Sequence, residues 1–159
     1  MVRWPGLVEG GSRCVQLVHQ ADLMATFADL LGFRLPANAG EDSVSLLPLL
    51  NGSTQPVREH AVSHASSGLP SMRQGQWKII FGPGGGGTAS EKIAASDNAP
   101  GQLYDLKTDL GETRNLWFQQ PALVAELTET MNRIVEAGRS NPGPQQANDV
   151  PVRWRRFLD

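Results

Sequence analysis

From His60 onward the spacing of apolar residues changes from three and four to two, and that change confines the fold. Ser71-Met-Arg-Gln-Gly-Gln-Trp-Lys-Ile-Ile-Phe81 reads as two strands around a tight turn at Gln74-Gly75. Met72 precedes the turn, and Trp77, Ile79 and Phe81 alternate after it, so the pair presents one apolar face that has to be buried. His60-Ala-Val-Ser-His-Ala65 is an extended run before this hairpin, and Gln102-Leu-Tyr-Asp-Leu106 is another after it, ended by a turn at Asp109-Leu-Gly111. Cover for the apolar face comes from downstream. Pro121 opens a helix whose Val124, Leu127, Met131, Ile134 and Gly138 line one stripe, with Glu129 and Arg133 spaced as a favourable pair on the outer side. Hairpin-linked strands plus a helix predict a small antiparallel α+β unit. Residues 140–159 read as an extended tail, with Arg153, Arg155 and Arg156 as its solvated end.

The first third of the chain has a different character. Val2-Arg3-Trp4 reads as a short strand entering a turn at Pro5-Gly6. Residues 15–31 carry a helical pattern, with Leu17, Met24, Ala28 and Leu31 on one face and Leu23, Phe27 and Leu30 widening it. Asp22 is placed as an N-cap and Gly32 as a left-handed stop. A face that wide expects cover on more than one side. Leu46–Leu50 reads as a short helical turn stopped by Gly52. These elements do not obviously join the antiparallel unit, and the expected division is residues 1-55, the edge of another domain, and residues 56-159.

Composition removes several function classes. Hydrophobic residues make up 40% of the chain, enough to collapse, while 17 glycines and 11 prolines imply long loops. Fourteen Lys and Arg against 16 Asp and Glu give a net charge of −2, so no basic field recruits nucleic acid or an anionic membrane. No apolar run reaches the length of a membrane span, and the residues after Met1 lack the apolar stretch of a signal peptide. Cys14 is the one cysteine, which rules out an internal disulfide and any multi-cysteine zinc site.

Candidate chemistry is sparse. His60 and His64 lie four apart, but on a strand that spacing spans about 13 Å, too far to share one ion. His64, at the end of its extended run, is the candidate for a histidine working in a cleft, with a structural role as the alternative; His19, beside an apolar helix face, reads as structural. Cys14 lacks an evident activating base. The glycines between Gly82 and Gly87 lack the Lys-Ser/Thr that completes a phosphate loop, and Ser96-Asp97-Asn98 supplies too few oxygens for a calcium site. No paired-carboxylate or triad spacing appears.

Several phrases in order do carry a resemblance: Val2-Arg-Trp-Pro-Gly6, Asp22-Leu-Met-Ala-Thr26 with Leu30-Leu31-Gly32, Gly40-Glu-Asp-Ser-Val-Ser-Leu-Leu-Pro48, Met72-Arg-Gln-Gly-Gln-Trp-Lys78, and Leu103-Tyr-Asp-Leu106 through Gly111-Glu-Thr-Arg-Asn-Leu116. Together with Gly138-Arg-Ser140 to Asn148-Asp-Val-Pro-Val152, they resemble the C-terminal portion of the arylsulfatase (type I sulfatase) family. Ala25 and Leu110 stand where the family often has proline. The resemblance implies an α+β, antiparallel-sheet C-terminal subdomain with a long C-terminal helix. It also implies a strand and a helix left from an alkaline-phosphatase-like α/β catalytic domain. Family members hydrolyse sulfate esters with a formylglycine made within a C/S-x-P-x-R motif, beside a calcium ion held by Asp and Asn. That motif does not occur in this chain: Gln16 and Val18 occupy the Pro and Arg places after Cys14. The resemblance therefore implies a segment inactive alone, with no catalytic residue and no metal ligand of its own. Calcium, the sulfate-ester substrate and an N-terminal catalytic domain as partner belong to the full-length enzyme. His64 matches a histidine that in relatives lies toward the active-site cleft, which makes it the expected substrate contact. Export to the periplasm or cell exterior is common in the family. A non-catalytic interaction module derived from a sulfatase is the alternative.

Overall fold

A computed structural model describes residues 1–84 and 98–158. The chain divides into two compact units, Met1–Ala61 with Gly138–Gln146, and Val62–Ala137 with Ala147–Asp159. Four strands, β1 (His60–His64), β2 (Pro70–Gln74), β3 (Trp77–Ile80) and β4 (Gln102–Asp105), form one sheet in the order β1-β2-β3-β4.

The second unit follows from the alternation in its strands. β2 and β3 pair antiparallel with Met72 opposite Ile79, and β3 and β4 pair with Ile79 opposite Leu103. The hairpin closes through Gly75-Gln76, one residue later than expected, with Gly75 at φ +57°, a conformation glycine adopts freely. Met72, Ile79, Phe81 and Leu103 are buried together with Leu127 and Met131 of α1 (Pro121–Ala137). Each such side chain contributes about 1.5–3 kcal/mol on burial. On the outer side of the helix the expected Glu129–Arg133 pair gives way to two shorter-range bonds. Arg133 donates to Thr130 Oγ1 at 3.0 Å, and Glu129 accepts from Asn132 at 3.0 Å. Gly101 is required at its position because a Cβ there would land on the Trp117 ring and within 2.8 Å of the Ile80 carbonyl.

The expected extended tail is not one. A 3₁₀ turn, Trp154–Phe157, brings Trp154 into the core, where its ring meets Phe81 edge-on at 4.8 Å between centroids and 76° between planes. The reason is the indole itself: left in solvent it would expose a large apolar surface, and an edge-to-face partner adds about 0.5–1.5 kcal/mol beyond area burial. Arg155 then lies over the outer side of that ring at 5.0 Å.

The first unit is organised around Asp22, which begins helix α2 (Asp22–Leu30) one residue inside the expected cap position. Its carboxylate is fully buried and paired with Arg58 at 3.0 Å, whose side chain is 4% exposed. The same carboxylate accepts the backbone N–H groups of His19 at 2.7 Å and Val44 at 3.0 Å. Helix starts leave four amides without intrahelical partners. Here Asp22, Leu23 and Met24 donate to the carbonyls of His19, Gln20 and Ala21, and Ala25 donates to Ser43 Oγ at 2.8 Å. Gly32 ends the helix at φ +64°, as expected. The short helix α3 (Leu47–Leu50) follows. The helical pattern expected from residue 15 begins only at Asp22, where the turn over His19–Ala21 and the buried Asp22 carboxylate fix the entry. Val2–Trp4 forms no strand: the Trp4 carbonyl accepts from Leu7 at 3.2 Å and Val8 at 2.9 Å, a turn that replaces ladder bonds. Residues 138–146 are tied in by Asn141, whose side-chain amide donates to the carbonyls of Gly40 and Ser43 at 2.8 Å each.

One side of α2 is bare. Leu23, Met24, Phe27, Leu31 and Phe33 are exposed, and an open depression of about 540 Å³ lies between Ala25, Ala28, Phe33 and Leu35. Among the described residues no helix is long and apolar enough to cross a membrane. Trp154→Ala is expected to lower unfolding stability by about 3–5 kcal/mol in denaturant titration, against less than about 0.5 kcal/mol for Val152→Ala. Equal midpoints for Trp154→Ala and its parent would show that the terminal turn is not core.

Candidate functional site

Because β strands alternate, the residues that do not face α1 share the opposite face of the sheet. The register sets Ser71 against Ile80 and Ile80 against Gln102, and Lys78 between Arg73 and Tyr104. A cleft of about 500 Å³ opens on this side, lined by His64 and Ser71 from the first two strands, by Lys78, Gln102 and Tyr104, and by Glu112. Leu69, Ile80 and Leu110 give it apolar patches.

His64, the one residue expected at a substrate contact, is exposed at the end of β1 and lines this cleft. His60 occupies the other end of the same strand. His19 acts at the start of α2, its Nδ1 accepting the Ala21 amide at 3.2 Å, which is the structural role expected. Cys14 is an exposed free thiol. Ser96, Asp97 and the glycines from Gly85 to Gly87 lie outside the described residues.

Four cleft residues carry chemistry that the linear sequence does not announce. Tyr104 and Gln102 are buried and joined, the hydroxyl donating to Gln102 Oε1 at 2.7 Å, and Gln102 Nε2 donating to the carbonyls of Gly82 at 3.0 Å and Gly84 at 2.9 Å. Lys78 stands directly opposite Arg73, and like charges in opposed positions repel. Glu112 offsets this, its two oxygens accepting from Lys78 Nζ at 2.6 and 2.8 Å. The signal was present in one respect: Lys78 interrupts the apolar alternation of Trp77 and Ile79 and so had to face the other way.

The turn that delivers Glu112 is held by Asp109. Its carboxylate accepts the backbone amides of Thr113 and Arg114 at 2.8 Å each and the Thr113 hydroxyl at 3.0 Å. The Thr113 amide, then the Arg114 amide, hold the Asp109 carboxyl below its ordinary range, against a smaller opposing effect of burial. Glu112 takes a left-handed backbone, φ +55°, which for a non-glycine residue costs about 1–3 kcal/mol. Its ion pair, with side chains 29% and 31% exposed, returns no more than about 1 kcal/mol. The hydrogen bonds that Asp109 makes across the same turn help to hold this backbone.

No family model matches the chain. Similarity to individual proteins is extensive. It is 33% identical over 137 residues to the N-acetylgalactosamine-6-O-sulfatase of Bacteroides thetaiotaomicron, an alignment covering 84% of this chain and 26% of that protein. It is 24% identical over 179 residues to the steryl-sulfatase of Rattus norvegicus, covering 99% of this chain and 31% of the relative. Among solved structures, a Bacteroides thetaiotaomicron protein described for the metabolism of multiple glycosaminoglycans superposes with a TM-score of 0.68 at 32% identity, covering 83% of this chain and 28% of that one. The chain thus spans between about a quarter and a third of the length of these relatives.

A carboxylate whose folded pKa is depressed stabilises the fold fully above its unfolded value and loses that contribution as pH falls through the folded one. Asp109 is therefore expected to titrate below the ordinary aspartate value of about 3.9, and slowed exchange of the Thr113 and Arg114 amides to be lost only on acidification below it. Asp109→Asn should abolish that pH dependence; an Asp109 titrating at the ordinary value in NMR would remove the turn's carboxylate cap from the account.

Proposed function

Since the chain belongs to the arylsulfatase (type I sulfatase) family, as its C-terminal portion, we propose that it is part of a sulfuric ester hydrolase, supplying one wall of the substrate cleft and stabilising the whole. The observation that carries this reading is the alignment itself, which runs through 84% or more of this chain but no more than 31% of the two sulfatase sequences. Residues 1–55 then derive from the edge of an alkaline-phosphatase-like catalytic domain, and residues 56–159 form the C-terminal subdomain. The bare side of α2 suits that origin, since a helix with Leu23, Met24, Phe27 and Leu31 exposed belongs against further protein.

In this arrangement the nucleophile, the calcium ion and the cationic groups that neutralise the sulfate come from the remaining polypeptide. Three carboxylates have structural partners: Asp22 with Arg58 and two amides, Glu112 with Lys78, and Asp109 with its own turn. Among the described residues no three His, Cys, Asp or Glu side chains gather as a metal site. Bound calcium would supply electrostatic stabilisation of the sulfate group. This chain's own contribution is positional. His64, at the mouth of the cleft, donates or accepts a hydrogen bond to the substrate, and the polar walls around it favour a hydroxylated alcohol portion, as the sugar named for the Bacteroides relative would provide.

The test is sulfate release from N-acetylgalactosamine 6-sulfate by the full-length polypeptide and by the isolated 159-residue chain. Turnover is expected from the first and none from the second beyond a mock purification. His64→Ala in the full-length protein should lower kcat/KM about tenfold, mainly through KM, as loss of one hydrogen bond to a bound group implies. Release by the isolated chain would overturn its dependence on the rest, and an unchanged kcat/KM would remove His64 from the substrate.

A further inference from the structure

Resting on the sulfate-ester reading above, we propose that Arg153 and Arg156 form a cationic rim beside the cleft. The rim binds a second anionic group, a sulfate or a carboxylate, of an oligosaccharide whose sulfate ester enters the cleft. The period of the terminal turn places the two side chains together. A 3₁₀ helix has three residues per turn, so residues three apart share a side. Trp154 and Phe157 take the inner side, packing on Phe81 and on Leu69, Ile80 and Tyr104 respectively. Arg153 and Arg156 are exposed one turn apart, the Arg156 amide donating to the Arg153 carbonyl at 3.3 Å.

This turn sits at the edge of the cleft, since the Leu69, Ile80 and Tyr104 that receive Phe157 also line it. Arg156 lies over the Phe157 ring at 4.7 Å, and its Nη2 donates to the Ser67 carbonyl at 3.3 Å, in the turn between β1 and β2. Ser67 is three residues from His64, so their backbones are no more than about 11 Å apart. The stacked ring and the carbonyl hold the guanidinium in place, and most of its donors remain for a ligand. Its planar fork suits an oxyanion. No carboxylate offsets the charge locally. Residues 62–69 contain none, Glu112 is joined to Lys78, and among the described residues neither Arg153 nor Arg156 pairs with Asp or Glu. Arg155 is directed away, lying over Trp154 at 5.0 Å and donating to Asn132 of α1 at 3.0 Å. An apolar ligand would strip water from the guanidiniums and return no hydrogen bond. With a net charge of −2 the chain has no long-range field for a nucleic acid or an anionic membrane, so the fitting ligand is a short polyanion already held at the cleft.

The experiment titrates the full-length polypeptide, with its formylglycine precursor replaced by alanine so that ligands stay intact, with two compounds. One is N-acetylgalactosamine 6-sulfate, and the other is a tetrasaccharide alternating that unit with glucuronate. This inactive parent is expected to bind the tetrasaccharide about tenfold more tightly, and Arg153→Gln with Arg156→Gln to bring the two affinities together. Replacing both by lysine, which keeps the charges, should retain most of the preference. Where the glutamine variant does not fold, salt decides on the parent: the preference should vanish as NaCl approaches about 1 M, where screening acts within about 3 Å. Equal affinities in the parent, or a preference that neither substitution nor salt alters, would overturn the rim and leave the sulfatase reading standing. If the active full-length polypeptide releases no sulfate from the monosaccharide ester while the preference holds, the sulfatase reading fails and the rim stands as an anion-binding surface.

Discussion

The two-residue alternation through β2, β3 and β4 is the constraint on which the second unit depends. It sends Met72, Ile79 and Leu103 to the α1 side and Ser71, Lys78, Ile80, Gln102 and Tyr104 to the other. A slip of one residue would exchange the two sets and expose the core. The energies show which set decides. Burial of each apolar side chain contributes about 1.5–3 kcal/mol, while the partly exposed Lys78–Glu112 pair contributes about 1 kcal/mol or less. The cleft residues are therefore placed by the packing behind them, and their own interactions refine a position already set.

What was legible in the sequence follows the same division. Hairpin, fourth strand and long helix could be read because period two and period 3.6 are written in residue spacing. Gly32 and Gly75 could be read because positive φ selects glycine. Trp154 could not: a single aromatic in a proline-rich stretch has no period, and only the proximity of Phe81 explains its burial. The start of α2 was misplaced for a related reason. Asp22 looked like a local cap, whereas its partners Val44 and Arg58 lie far along the chain, so its carboxylate serves a tertiary site.

The site was half legible. His64 stood out as a titratable residue at a strand end, and the structure puts it on the cleft wall. Glu112 does not stand out, since nothing in the turn sequence reveals that its backbone is left-handed and its carboxylate meets Lys78, 34 residues earlier. Resemblance to sulfatases carries what local spacing lacks, namely the family to which a chain without a nucleophile motif belongs.

The proposed origin of the chain in a sulfatase bears on the first unit as well. Asp22 and Arg58 fix α2 firmly at its start, yet its apolar side chains Leu23, Met24, Phe27 and Leu31 are exposed, a patch of the kind that marks an interaction surface. Amide hydrogen exchange along Leu23–Leu31, followed in the isolated chain and in the full-length polypeptide, tests this most directly. Exchange slowed about tenfold or more in the longer protein is expected if α2 is part of a larger interior. Equal exchange in both would mean that the exposed face has no cover to wait for, and that this segment is not a piece of a larger enzyme.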